Sequence, residues 1–243
     1  MDEKRYSCEH VVPIEQEPRH HLVIENEFVR AFAVEIAPRD RTLCHHHPHD
    51  YLLYVAGDGD IVSAARDEEP KQLNYRDGEC ELLPAGMVHV VENLGDTAFR
   101  NIVVELLPGT SGLRRGDDPK LIAGEASITE RFADERAAIF MIAMGIGSEV
   151  EVHGRVVVAS PYEHEVELEN FRGDEVKLSE FNNMAWIWSP LKAALRNVGD
   201  NPAKVVLFQI GRADEELLLV QKQVEPTKSL RTRADEPDKL GLW

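Results

Sequence analysis

Short apolar or β-branched runs, broken every few residues by Gly, Pro, Asp or Asn, dominate the chain. Val29 to Ile36, Tyr51 to Val55, Asn101 to Leu107, Ala138 to Met144, Val152 to Ala159 and Lys204 to Ile210 are examples. Runs of this length, separated by turn residues, predict the strands of an all-β sandwich or barrel with few short helices. Helical periodicity is rare; the stretch that suggests it is 213–224, where Leu217 to Val220 sit among charges.

The pattern also repeats. Asn93-Leu94-Gly95-Asp96 and the strand after it align without gaps on Asn197-Val198-Gly199-Asp200 and its strand, while Arg30-Ala31 and Arg136-Ala137 open the corresponding upstream strands. An Asn-Gly turn recurs by chance in β-proteins because both residues tolerate positive φ, but a matched strand in register argues for two copies of one domain. The turn-rich stretch from Pro108 to Glu125 holds the boundary. The expected organisation is a first domain over 1–110, a linker over 111–125, a second domain over 126–215 and a tail over 216–243.

Composition narrows the partners. The chain has 243 residues, 43% of them hydrophobic and 29% charged, and no run of apolar residues approaches the roughly 20 needed to span a bilayer. The charged N-terminus is not followed by a secretory signal, so a cytoplasmic location is expected. A formal charge of −17 without a basic cluster argues against nucleic acid and anionic membranes. A small-molecule substrate or another protein remains. A homodimer stays open, since two barrels in one chain can already pack as a dimer of single barrels does. Cys8, Cys44 and Cys80 are odd in number and widely spaced, which is neither a disulfide framework nor a zinc-finger pattern, so reduced thiols are expected.

The densest chemistry lies in Cys44-His45-His46-His47-Pro48-His49-Asp50-Tyr51. Alternate residues of a strand share a face, which groups His45, His47, His49 and Tyr51 unless Pro48 bends the chain. Neutral imidazole is a common ligand for first-row metals, and two histidines two apart can share one ion. The third candidate ligand is His89, in the stretch from Gly78 to Asn93.

That stretch, Gly78-x5-Pro84-x-Gly86-x2-His89-x3-Asn93, resembles the second conserved motif of the cupins at every fixed position, and His45-x-His47 resembles the start of the first. The resemblance implies a bicupin: two tandem double-stranded β-helix (jelly-roll) barrels, with His45, His47 and His89 holding a divalent transition metal, Fe foremost, with Mn, Ni or Zn as alternatives. The glutamate of the first motif falls at Tyr51 or Leu52. Strand parity favours Tyr51 as the acid/base or fourth ligand, while His49, or Asp50 with a bulge at Pro48, are the alternatives. The second copy looks metal-free: His153 stands opposite His45, but Arg155 replaces His47 and Ala193 replaces His89.

Three neutral imidazoles leave two or three coordination positions open, which is a catalytic pattern. The resemblance implies an oxygenase acting on a small organic molecule, with a lyase or isomerase as alternative. A non-catalytic small-molecule sensor is the other reading, disfavoured because no effector domain is visible. Five side chains keep two readings each. Cys44 is a redox residue near the metal or a small buried hydrophobe; Glu105 backs a ligand histidine or faces outward. Trp186 and Trp188 line a pocket or pack at an interface, and Arg155 binds an anion or lies on the surface.

Overall fold

The computed structural model describes residues 6, 8–110, 117–169 and 175–211. The side chain of Trp188, the helix expected over 213–224 and the tail over 216–243 lie outside them. Ten strands build the first barrel: β1 (Val12–Pro13), β2 (His20–Glu25), β3 (Val29–Ile36), β4 (His45–His47), β5 (Tyr51–Ala56), β6 (Gly59–Ala65), β7 (Lys71–Tyr75), β8 (Cys80–Leu83), β9 (Met87–Asn93) and β10 (Phe99–Leu106). They form two five-stranded sheets, in the orders β1-β4-β9-β6-β7 and β2-β3-β10-β5-β8. Eight more strands follow: β11 (Lys120–Ala123), β12 (Ala126–Ala133), β13 (Ala138–Met144), β14 (Glu149–Ala159), β15 (Val166–Glu169), β16 (Glu175–Leu178), β17 (Met184–Asn197) and β18 (Ala203–Gly211). They curl as one sheet in the order β12-β13-β18-β14-β17-β15-β16, with β11 pairing β14. The 3₁₀ turns Ile14–Gln16 and Pro108–Thr110 interrupt the strands.

The continuous apolar runs have a physical explanation. β3, β5 and β10 are buried on both faces, as strands without polar alternation require. Phe32, Val34, Tyr51, Leu53, Val55 and Val103 face the interior of the first barrel. Ala31, Leu52, Tyr54, Ile102 and Val104 face the opposite way and pack on Ile139, Val157, Val206 and Phe208 of the second. The two barrels thus stand back to back across a shared apolar layer. Trp186 stacks on Phe28 in this layer with ring centroids 6.0 Å apart, so it packs at the interface.

The repeat is visible in the hydrogen bonds. Asn93 Nδ2 donates to the carbonyls of Ile36, Ala37 and Thr97, and Asn197 Nδ2 donates to those of Met144, Gly145 and Asn201. Each Asn Oδ1 then accepts from the amide of the Gly two residues on. The motif glycines are equally explicable: Gly78 and Gly86 have φ of +79° and +89°, a region that disfavours side chains, and the Gly86 amide donates to the His47 carbonyl at 2.8 Å.

Candidate metal centre

β4 and β9 run side by side with His45 opposite His89, so the two motifs meet across one ladder. His45 Nε2 lies 3.1 Å from His89 Nε2. One ring nitrogen from each of His20, His45 and His47 also lies within 4.8 Å of the others. All four imidazoles are buried. His20, at the start of β2, is the residue the sequence reading missed. Its only local signal is Glu17 three residues earlier, because the long-range step that brings β2 beside β4 leaves no trace in spacing.

The rings are held so that lone pairs converge. His45 Nδ1 donates to the Leu43 carbonyl at 2.9 Å, which leaves Nε2 as the bare nitrogen. His20 Nδ1 donates to Glu17 Oε2 at 2.8 Å with the same consequence. Burial pushes the Glu17 carboxyl up, but the bonds from His20 and from the Leu43 and Arg19 amides outweigh it and hold it below its ordinary range. Burial, with charge repulsion from neighbouring histidines, drives His45 and His47 well below the ordinary imidazole range, and His89 down to about 4. Neutral imidazoles whose free nitrogens face one another have the donor chemistry a first-row cation selects. Two further atoms fit the same picture: His47 Nδ1 and Glu105 Oε1 are buried without hydrogen-bond partners, 3.8 Å apart.

Glu105 is therefore no outward-facing carboxylate. It is fully buried on the inner face of β10, where Arg30 Nη2 pairs with its Oε2 at 2.6 Å. Burial, only partly offset by Arg30, raises its carboxyl to about 7. The alternatives for a fourth ligand fare differently. Tyr51 is buried with its ring stacked on His47, centroids 4.1 Å apart, and burial raises its phenol, so it stays protonated at neutral pH. Asp50 spends one oxygen on the Ala85 amide at 2.8 Å and the other on Arg136 at 2.7 Å, bridging the barrels. His49 is half-exposed and, like Asp50, absent from the residues that line the cavity beside the cluster.

That cavity, about 330 Å³, opens over His20, His47 and His89. It lies in the range of small-molecule pockets.

The cysteines contradict the expectation of reduced thiols. Cys8 and Cys44 are joined by a disulfide, and Cys80 is free. The bond closes because β1 pairs in parallel with β4, an alignment with no signature in cysteine spacing. It also sits uneasily with the cytoplasmic expectation, since disulfides persist mainly in oxidising compartments.

The second barrel has no such cluster among its described residues. The clamps of Asn93 and Asn197 equate Ile36 with Met144, and register then equates His20 with Ile128. Val152 pairs with Ala193 as His45 pairs with His89. His153 sits at the adjacent bulge, bonded to Glu151, one residue away from the position expected of it. Arg155 is buried and stacks over the Phe28 ring at 4.3 Å, which removes its surface reading.

No family model matches the chain, and no curated protein does. Solved structures do. AerE from Microcystis aeruginosa is similar at 15% identity and a TM-score of 0.55, over 80% of this chain and 98% of that one. The vicilin of tomato, Solanum lycopersicum, aligns at 14% identity and a TM-score of 0.58, over 77% and 76%. A salicylate 1,2-dioxygenase from Pseudaminobacter salicylatoxidans aligns at 13% and 0.53, over 84% and 78%. At these identities the likeness shows the fold: this chain has the two-barrel cupin architecture. Its described histidine cluster lies in the first of the two barrels.

Proposed function

We propose that the first barrel is a metal-dependent enzyme centre, most simply an oxygenase acting on a small organic molecule, with His45, His47 and His89 as metal ligands and His20 as a fourth donor. The observation that carries this reading is the meeting of four buried imidazoles, three of which line a largely apolar cavity. A bound transition metal would supply Lewis acidity and, for iron, one-electron chemistry with O2. The protein's own part is to present the ligands and hold the substrate. Glu17 orients His20, the Leu43 carbonyl orients His45, and Glu105, backed by Arg30, stands behind His47. Tyr51, protonated and stacked on His47, would offer its hydroxyl as a hydrogen-bond donor to a substrate oxygen. The dioxygenase among the similar structures supports the reaction class, while lyase or isomerase chemistry uses the same ligand set.

Metal analysis of the purified protein tests the centre: about one equivalent per chain is expected, lost in His89→Ala. Retention of the metal in that variant overturns the ligand assignment. Oxygen uptake by the Fe(II)-loaded protein with a substrate panel tests the reaction, and its absence throughout favours lyase or isomerase chemistry.

A further inference from the structure

Glu17 follows the turn Ile14–Gln16, and its carboxylate is fully buried. N–H donors meet it at both ends. Oε2 accepts from His20 Nδ1 at 2.8 Å and from the Arg19 amide at 2.7 Å. Oε1 accepts from the Leu43 amide at 3.1 Å and from Arg19 Nη1 at 3.3 Å. Leu43 in turn gives its carbonyl to His45 Nδ1 at 2.9 Å. One carboxylate thus reaches two imidazoles on two strands: His20 directly, and His45 through the main chain of Leu43.

The second arm depends on hydrogen bonding, because Leu43 is 45% exposed and its side chain is not packed in place. Its neighbours are held separately, Thr42 by its amide on the Val91 carbonyl and Cys44 by its disulfide and the Val12 amide. Between them, the Leu43 amide is held by Glu17. Charge matters as well. A cation on Nε2 polarises the ring and makes Nδ1–H a stronger donor, so a bond to a carboxylate tightens when metal binds. An amide at position 17 cannot serve both arms. With its NH2 toward His20 it faces Nδ1–H and the Arg19 amide, and with its NH2 toward Leu43 it faces the Leu43 amide, so one ligand loses its support in either orientation.

We propose that Glu17 is the positioning residue of the metal centre: a single carboxylate sets the tautomer of His20 and anchors the acceptor of His45, and metal affinity depends on it through both rings. This rests on the reading of these imidazoles as metal donors. The first measurement is NMR of the imidazole nitrogens in the metal-free full chain at neutral pH. Both His20 and His45 carry their proton on Nδ1; a proton on Nε2 of either ring overturns the proposal, and no variant is needed to see it. Glu17→Gln weakens Zn(II) affinity at least about tenfold in competition with a chelator and shifts the tautomer of one of the two rings, a signature that lost stability alone does not produce. Unchanged tautomers and affinity in that variant overturn the proposal. The two arms are separated in a His20→Ala background, where Glu17→Met, which keeps the length and removes both oxygens, weakens Zn(II) binding by a further factor of about three or more. No further loss there means that Glu17 acts on His20 alone, and the two-ring proposal fails. An unaltered chain that binds no Zn(II) sinks the metal centre itself, while the imidazole spectra still decide whether Glu17 sets the rings.

Discussion

His20 shows how far a single residue can depend on context. Read alone, it is one of ten histidines; in the barrel its ring lies 4.6 Å from that of His45, centroid to centroid, with Glu17 fixing its tautomer. If it donates to the metal, His20→Ala weakens metal affinity by at least about tenfold, read by competition with a chelator, whereas an undiminished affinity removes it from the ligand set. The imidazoles also make stability depend on pH. Unfolded, the His89 ring takes up a proton near 6.5; folded, it does so only near 4. The unfolded state therefore binds more protons between those values, so stability is fully present above about 6.5 and is lost as pH falls toward 4. For His89 the loss is about 3 kcal/mol in metal-free protein, visible as a falling urea midpoint. Bound metal should be released over the same acidic range, because protons compete for the same nitrogens.

Among the elements, the turns after β9 and β17 do the same work twice. Asn93→Ala strips a donor from three carbonyls, two of which come from the end of β3 and the residue after it. The expected cost is about 2–3 kcal/mol, and Asn197→Ala costs a similar amount because its bonds are the same; chemical denaturation measures both, and a neutral effect at either would separate the two turns. This repeat was legible because it is local: the Asn, the Gly and the following strand lie within a few residues of one another. The pairing of β1 with β4 was illegible for the opposite reason. It joins Val12 to His45 across more than thirty residues of chain, and with it comes the Cys8–Cys44 bond. Closing a loop with a sequence separation of 36 constrains the unfolded chain by about 4 kcal/mol. Cys8→Ser, or reduction with dithiothreitol, is expected to lower stability by up to that amount, and an unchanged unfolding curve would mean that the bond contributes nothing.

Across the whole molecule, the shared apolar layer makes the two barrels one thermodynamic unit. Phe208 is fully buried there, on a strand of the second barrel, against residues of β5 and β10. Phe208→Ala is expected to cost about 3–5 kcal/mol and to lower the unfolding midpoint of both barrels together. Two separate transitions in calorimetry, with the first barrel unmoved, would show that the layer does not couple them. This coupling gives the second copy a role: it covers the outer face of the very strands whose inner face backs the cavity.

The all-β class, the tandem repeat and the convergence of His45, His47 and His89 were determined by the sequence itself, because strand alternation, turn chemistry and motif spacing are short-range properties. Tertiary structure decided what depends on neighbours far apart in the chain. It brought His20 to the other imidazoles, buried Glu105 behind His47 and tied Glu17 to the Leu43 amide. It also paired Cys8 with Cys44 and gave both oxygens of Asp50 to other partners. In each case the deciding quantity is burial or pairing across a sheet, which spacing along one strand does not encode.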